Sequence, residues 1–397
     1  LIEVHEFGME THVETAEAGV NGMDGKGPVI CLEQGKFQST VREGVARFLA
    51  VPYAAPPCGE LRWRPPKPPR RDLQNVVSSR LARCPQPSRP TQTFNGHVLE
   101  DDEDCLQLNI WAPLKALAEC SQSAQKCPVL LYIHGGGGKC HSAHSPRESG
   151  HQLALQQGLC VVNINYRLGI LEFLAHPELS EEQNGSGNYA ILDQIAALQW
   201  ARDNIRAFGG DPKNVTLWGL SSGAQYVSTL LVSPAAEGLF HKAMVQSCAD
   251  LNNVRQACGS CDVWLGKTAE EWGHQLCQEI TGDGQLATMR VVPVEQIVQH
   301  TVSESANDCY EPAIDRRGFV KPMSSMEALV SGKFHKVPVL LGVTENDGLG
   351  KSELEQTIFR SSDVRTRAEL EKLLQLEFGE NAQHVLEHYW QKDVESD

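Results

Sequence analysis

The sequence predicts an α/β fold in which a mostly parallel sheet carries helices on both faces. Continuous apolar runs at 128–134 and 160–165 are typical of strands that are buried on both faces. The segment 188–208 repeats apolar residues at helical spacing and stops at a pair of glycines. Because strands alternate with helices along the chain, a parallel sheet is expected. No repeat or low-complexity linker interrupts this pattern, so we predict one domain over residues 27–397.

The other segments fit this prediction in chain order. Residues 1–26 are polar, acidic and rich in glycine, and we expect an irregular N-terminal arm there. Short alternating runs between Gly27 and Phe48 predict hairpin strands. The proline-rich segment 51–69 is expected to wrap the surface, because proline excludes both helix and central strand. Further strands are predicted at 106–111, 214–218, 243–247 and 337–342.

Composition excludes several classes of partner. The chain has 397 residues and 41% hydrophobic residues, which is enough to bury a large core. Its net charge of −15 argues against binding to nucleic acid or to anionic membranes. No apolar run reaches the roughly 18 residues of a membrane span, so no transmembrane segment is expected. The chain begins at Leu1 without a signal-peptide pattern, which we interpret as a mature or cut end.

The stretch 214–223 carries the clearest chemical pattern. A short apolar strand leads into Gly219-Leu-Ser-Ser-Gly223, and a run that can be helical follows. This is the strand–turn–helix context of a nucleophile elbow, which would expose the hydroxyl of Ser221 at the carboxyl edge of the sheet. The pentapeptide alone is a weak signal, since an ordinary turn that is rich in glycine and serine can have the same residue pattern.

A glycine loop strengthens the elbow prediction. His134 and four glycines, 135–138, follow a predicted buried strand directly. Glycines let the backbone approach a ligand closely and direct N–H groups towards it. Together with the N–H that follows Ser221, such a loop would form an oxyanion hole. In a parallel sheet these two loops and the loop after Leu341 should meet at one edge.

With these features in place, the sequence resembles the type-B carboxylesterases and cholinesterases of the α/β-hydrolase fold. Residues 208–223 are similar to the serine signature of that family, and residues 103–113 to its second signature, with Gln107 where an aromatic residue is usual. Further matches follow in the family's order at 53–57, 165–169, 193–200 and 239–243. The resemblance spans nearly the whole chain and implies hydrolysis of small-molecule carboxylic esters without a metal or an organic cofactor.

The resemblance also implies site residues. Ser221 matches the nucleophile, and Gly136, Gly137 and Ser222 match the oxyanion-hole positions. Asp347, just before a glycine, matches the acid of the triad, where most members have Glu. Both acids can orient an imidazole. The alternative for this Asp-Gly pair is an ordinary turn.

The triad histidine has no match. In the family it comes well after the acid, and here only His384 and His388 follow Asp347. Residues 382–390 are similar to an early helix of the family's C-terminal part, so we interpret the two histidines as a solvated pair; a metal pair or a displaced base are the alternatives. We expect that the chain stops before the catalytic histidine and, as given, does not turn over.

Three departures from the family pattern affect specificity. Leu220 stands where cholinesterases carry Glu, so we do not expect choline-ester specificity. Gly138 replaces a bulky aromatic residue, which is expected to widen the pocket. Glu172 stands where a small residue is common.

Thirteen cysteines are many for a cytosolic enzyme, and their odd number leaves at least one thiol unpaired within the chain. By resemblance, Cys84 and Cys105 match the family's first disulfide, and Cys277 matches half of a second whose partner position is Thr288. The spacing of Cys258, Cys261, His274 and Cys277 superficially resembles a zinc site; a rearranged disulfide or free thiols are the alternatives, and the pairing of Cys248 stays open.

Two further expectations concern location and role. Asn184 and Asn214 fit the glycosylation pattern, although Asn214 leads into the elbow strand and is expected to be buried. We expect a secreted or secretory-lumen protein. The alternative to an enzyme is a non-catalytic cholinesterase-like domain that binds other proteins. The oligomeric state is not predicted.

Overall fold

The structure, a computed structural model, describes 13 stretches of the chain. They are residues 25–70, 80–87, 92–94, 96–118, 126–145, 148–248, 255–256, 268–300, 313–314, 320, 323, 325–344 and 383.

The strands, in chain order, are β1 (Gly25–Leu32), β2 (Gly35–Arg42), β3 (Val45–Pro52), β4 (Ala82–Arg83), β5 (Thr93–Phe94), β6 (His97–Val98), β7 (Glu100–Asp101), β8 (Gln107–Pro113), β9 (Cys127–Ile133), β10 (Cys160–Ile164), β11 (Gly210–Leu220), β12 (Lys242–Gln246), β13 (Arg255–Gln256), β14 (Ala313–Ile314) and β15 (Val339–Gly342). The helices are α1 (Leu114–Ala118), α2 (His151–Gln157), α3 (Ile170–Phe173), α4 (Pro177–Gln183), α5 (Tyr189–Asn204), α6 (Ser222–Val232), α7 (Ala269–Thr281), α8 (Leu286–Val291), α9 (Val294–Gln299) and α10 (Ser325–Val330).

One large sheet organises the described chain. Its nine strands follow the order β1-β2-β3-β8-β10-β9-β11-β12-β15. The half from β1 to β10 is antiparallel, as the predicted hairpins require, whereas the half from β10 to β15 is parallel. The sheet is therefore mixed, and its parallel half contains the elbow strand.

The register of the parallel half brings the predicted loops together. Ile133 of β9 pairs with Gly219 of β11, and Gly219 pairs with Val245 of β12. The carboxyl ends of these strands are therefore level, and the glycine loop and the elbow leave the same edge of the sheet. Gly342, the last residue of β15, pairs with Gln246 at that edge.

The core lies on both faces of the central strands. Every residue of β8 and of β10 is buried. For β10 this confirms the predicted strand that is covered on both sides, whereas β8 was predicted only as a strand. Helix α5 buries most of its side chains, and it ends at Asn204 because residues 205–208 tighten into a 3₁₀ helix. The predicted single helix over 188–208 is thus an α-helix followed by a 3₁₀ turn.

Two local expectations need correction. The proline-rich segment does not only wrap the surface, because the Trp63 side chain is fully buried and its Nε1 donates to the Ile170 carbonyl at 2.9 Å. Asn214 is half-buried, not buried, and its Oδ1 accepts from the Lys242 ammonium at 2.5 Å.

The chain divides into two compact units, Leu1–Gly342 and Val343–Asp397. The sheet belongs to the first, and the structure describes Val343, Thr344 and Gln383 of the second. The single domain over 27–397 and the arm over 1–26 stay predictions. Of the helices in the described stretches, none has the length and apolar character that a membrane span requires.

Candidate active site

The turn between β11 and α6 has the strained geometry of an elbow. Ser221 adopts φ +57° and ψ −126°, a conformation that residues other than glycine rarely take. Its N–H donates to the Gln246 carbonyl of β12 at 2.9 Å, and its own carbonyl accepts from the Ala224 N–H at 2.8 Å. The neighbouring strand and the first turn of the helix therefore hold the strained residue in place. Ser221 is exposed, and its hydroxyl makes no hydrogen bond within the described stretches.

The flanking glycines are required by close packing. A Cβ at Gly219 would lie 2.2 Å from the Gly223 carbonyl oxygen, and a Cβ at Gly223 would lie 2.2 Å from the Ile133 oxygen. Both distances are far below van der Waals contact with rigid backbone. The sequence pattern Gly-x-Ser-x-Gly therefore reflects how tightly strand, helix and β9 meet at this point.

The glycine loop lies directly against the elbow. A Cβ at Gly135 would be 2.7 Å from the Leu220 oxygen and 3.1 Å from Ser221 Cβ. Gly136 and Gly137 have φ of +119° and +65°, which favour glycine. Position 137 is exposed, with open space where a side chain would be.

The three predicted oxyanion donors are brought to this junction. Within the described residues, the N–H groups of Gly136 and Gly137 donate to no acceptor. Ser222 is the first residue of α6, so its N–H has no partner inside the helix. The loop is fixed to the helix because the Gly138 N–H donates to Ser222 Oγ at 3.3 Å.

The loop after β10 supports the glycine loop, a role that was not predicted from the sequence. The Gly169 N–H donates to the Gly138 carbonyl at 2.7 Å, and the Tyr166 hydroxyl donates to the His134 carbonyl at 2.6 Å. The Asn165 side-chain oxygen accepts from the Ala143 N–H at 2.8 Å. From the sequence, residues 165–169 were identified only as a family match, and their contacts now give this segment a structural role.

His134 is a structural residue of this loop. It is buried, its Nδ1 donates to the Gly135 carbonyl at 2.8 Å, and its ring stacks on Tyr166 with centroids 4.4 Å apart. Burial lowers the pKa of His134 to about 4, so the ring is neutral at pH 7. It therefore orders the first peptides of the glycine loop without adding charge beside them.

Gly138 does not open the pocket as predicted. A Cβ there would lie 2.9 Å from the Tyr226 hydroxyl and 3.2 Å from Glu172 Oε2. The volume that a side chain at 138 would take is already filled, so the glycine leaves no open space on that side.

Several other predicted site residues lie outside the described part of the chain. They are Asp347, His384, His388, Cys258 and Cys261. The described residues contain no group of three or more potential metal ligands from His, Cys, Asp and Glu. The triad acid and the base therefore stay predictions.

Cys84 and Cys105 are side by side in the core as thiols. Burial, together with the neighbouring Cys84 side chain, raises the pKa of the Cys105 thiol well above its ordinary value. Cys84 Sγ also accepts from the Leu168 N–H at 3.2 Å. The positions suit the expected disulfide, but no disulfide is seen among the described cysteines, and this bridge stays a prediction.

Comparison with known proteins gives a consistent result. Residues 26–396 match the model of the Carboxylesterase family. The chain is 35% identical over 356 residues to the fumonisin B1 esterase of Sphingopyxis macrogoltabida, covering 86% of this chain and 59% of that protein. It is 32% identical over 332 residues to the para-nitrobenzyl esterase of Bacillus subtilis strain 168, covering 81% of this chain and 63% of the relative. The chain thus spans about three fifths of the length of these relatives.

Solved structures match in the same way. A PNB esterase structure superposes with a TM-score of 0.69 at 30% identity, covering 91% of this chain and 72% of that one. The carboxylesterase of Geobacillus stearothermophilus at pH 6.8 gives 0.70 at 31% identity, with the same coverage. These matches confirm the α/β-hydrolase fold that the sequence predicts.

Proposed function

This chain belongs to the carboxylesterase family, and from that premise we propose that it is a serine hydrolase of carboxylic esters acting through Ser221. The observation that carries the proposal is the strained, exposed serine with the glycine loop packed against it. Such strain persists only where the surrounding structure holds it, and it concentrates at functional sites.

In the proposed mechanism, Ser221 Oγ attacks the acyl carbon of the ester. The carbonyl oxygen becomes an oxyanion, which accepts hydrogen bonds from the N–H groups of Gly136, Gly137 and Ser222. Removal of one such donor typically costs about 10²–10³ in rate. The alcohol leaves, and water then releases the acyl group from the serine, so no metal or organic cofactor takes part.

Proton transfer requires a base beside Ser221. We propose that Asp347 orients a histidine, which takes the proton from Ser221 Oγ and passes it to the leaving alcohol. His134 is unsuited to this role because its Nδ1 is engaged with the Gly135 carbonyl and its ring is stacked in the core.

The substrate is proposed to be a small-molecule ester. Leu220, beside the nucleophile, offers no negative charge to a cationic alcohol, so choline esters are not expected. Residues 27–397 are proposed to form one domain after an arm over 1–26, and secretion remains part of the proposal. Glycosylation at Asn184, which is exposed, is compatible with it.

The first prediction tests the nucleophile. We expect a fluorophosphonate probe to label Ser221 in the full-length protein, as located by peptide mass spectrometry. Ser221→Ala should abolish labelling and lower hydrolysis of a p-nitrophenyl ester at least about 10³-fold, since removal of a triad nucleophile leaves only binding and the oxyanion hole.

Ser149, another exposed serine, provides the matched control. The Ser149→Ala variant should retain both the labelling by the probe and the hydrolysis of the ester. Unchanged turnover in Ser221→Ala would contradict the assignment. A folded protein without labelling or turnover would favour the non-catalytic, protein-binding alternative.

A further inference from the structure

Glu172 is a buried carboxyl group beside the glycine loop. It lies on α3, is fully buried, and forms no ion pair within the described residues. The Tyr226 hydroxyl of α6 is directed at it, but neither carboxyl oxygen makes a well-formed hydrogen bond in that part of the chain. An unpaired carboxyl in such a place is uncommon, because burial of a charge without a partner costs several kcal/mol.

The carboxyl group occupies the place of a missing side chain. A Cβ at Gly138 would meet the Tyr226 hydroxyl at 2.9 Å, Glu172 Oε2 at 3.2 Å and Phe173 Cε2 at 3.6 Å. Gly138 is itself buried, and both of its peptide groups are used: its N–H binds Ser222 Oγ and its carbonyl binds the Gly169 N–H. Glu172 thus packs under the peptide that joins the glycine loop to the nucleophile helix.

Position 138 of the loop and position 172 of α3 share one volume. In this chain the glutamate of α3 fills that volume, and the loop has no side chain there. Because the two positions are in contact, a larger side chain at 138 would require a smaller one at 172.

The surroundings of Glu172 favour its neutral form. Burial is the main cause that raises its pKa well above the ordinary value, and Cys84 and Asp193 act in the same direction. The Tyr226 hydroxyl, which is directed at the carboxyl group, acts against burial and favours the charged form. Arg167 also favours the charged form, but its guanidinium is committed to Asp193 in a bidentate pair at 2.6 and 2.8 Å. Tyr166, which also faces Glu172, is held neutral mainly by burial.

We propose that Glu172 is a positioning residue for the oxyanion loop: as a buried carboxyl group beside Tyr226, it fills the volume that a side chain at residue 138 would take and holds the Gly138 peptide against Ser222. The assignment of this loop as an oxyanion hole rests on the proposed function. The packing of Glu172 against the loop and its charge state do not depend on that function, and both can be tested without catalysis.

The steric part is tested by exchanging the two side chains. We expect Gly138→Leu alone to lower the melting temperature by about 5 °C or more, or to prevent folding, because the added side chain meets Tyr226 and Glu172 and the backbone at 138 has φ +66°. Adding Glu172→Gly should recover the part of that loss that is due to contact with Glu172, whereas the part due to the positive φ and to Tyr226 remains. Losses in the double variant that equal or exceed the sum of the single losses would overturn the proposed exchange.

The ionic part is tested with the isosteric Glu172→Gln. An acid whose pKa is higher in the folded state than in the unfolded state destabilises the fold progressively as pH rises above about 4.5, its ordinary value. Glu172→Gln should therefore melt close to the wild type at pH 4 and above it at pH 8. A Gln variant that is less stable than the wild type at pH 8 would show an ionised, paired carboxylate and overturn the inference.

The positioning role has its own readout. The rate of fluorophosphonate labelling at saturating probe should stay within about threefold of wild type in Glu172→Gln and fall at least about tenfold in Glu172→Ala, with half-saturation unchanged. Glu181→Gln, on the exposed face of α4, should change nothing. Equal labelling in Glu172→Ala overturns the positioning role. If the wild type is not labelled, the proposed function fails, whereas the melting experiments still decide the packing and the charge state.

Discussion

Two apolar strands of the same sheet differ sharply in burial. In β9, Val129, Leu130 and Leu131 are 1%, 8% and 0% exposed, whereas Val339, Leu340 and Leu341 of β15 are 46%, 58% and 65% exposed. β9 has β10 on one side and β11 on the other; β15 pairs with β12 alone within the described residues. An apolar run therefore predicts a strand, but its burial depends on neighbours that the run does not contain.

The glycines of the two regions differ in the same way. Gly223 follows the nucleophile, and backbone oxygens surround the place where its side chain would be. Gly342 ends β15, and nothing lies within 4 Å of a Cβ there. The same residue type is thus a packing requirement in one region and unconstrained in the other.

The largest expected effect is that of Gly223→Ala. The added methyl would lie 2.2 Å from the Ile133 oxygen, and neither backbone segment can yield without breaking the sheet or the elbow. We expect a loss of more than about 4 kcal/mol in the free energy of unfolding, or no folded protein. Urea unfolding followed by circular dichroism measures it.

Gly342→Ala is the matched variant and should stay within about 0.5 kcal/mol of wild type. Equal losses at both positions would remove the distinction between the two regions.

Leucine truncation gives the next effect. Leu131→Ala should cost about 3–5 kcal/mol, because it leaves a cavity in the central sheet. Leu341→Ala should cost less than about 1 kcal/mol, since that side chain is largely in contact with solvent. Thermal and urea unfolding of the two variants test this. A large loss in Leu341→Ala would mean that β15 is covered in solution.

The pH dependence of stability provides a further test of the buried region, through His134, which directly follows β9. The pKa of His134 falls from 6.5 to about 4 on folding, so the folded protein keeps it neutral while the unfolded chain takes up a proton. The contribution of the neutral His134 ring to the free energy of unfolding is complete above pH 6.5. It is lost as pH falls towards 4, by about 3 kcal/mol in total.

Unfolding free energies measured between pH 7 and pH 4 test this linkage. In His134→Gln the slope of stability against pH should decrease by about one proton, whatever the change in absolute stability. An unchanged slope would show that the ring is protonated in the folded protein.

Local constraints explain what the sequence could predict. The elbow was predictable because one tight turn, with its two glycines, needs only residues that are adjacent in the chain. Strands β9 and β10 were predictable because their residues are almost all apolar, as a strand that is covered on both faces requires.

Contacts between distant segments explain what it could not. Trp63 lies in a proline-rich stretch, and its buried Nε1 donates to the Ile170 carbonyl of α3, which is far away in the sequence. The consequence of Gly138 was predicted wrongly because Glu172 and Tyr226, which fill its side-chain volume, come from two other helices. Asp347 is a family match whose geometry lies outside the described residues, so it stays a prediction.

The register between β9 and β11 also has a consequence for folding kinetics. Ser221 is held by the Gln246 carbonyl and by close contact with the peptide of Gly135, so its backbone needs β9, β11 and β12 to be paired. Parallel pairing of segments that are far apart in sequence is slow, because loop closure precedes the stabilising contacts. The nucleophile should therefore acquire its reactive shape late, and a nascent or partly folded chain would carry an unreactive serine.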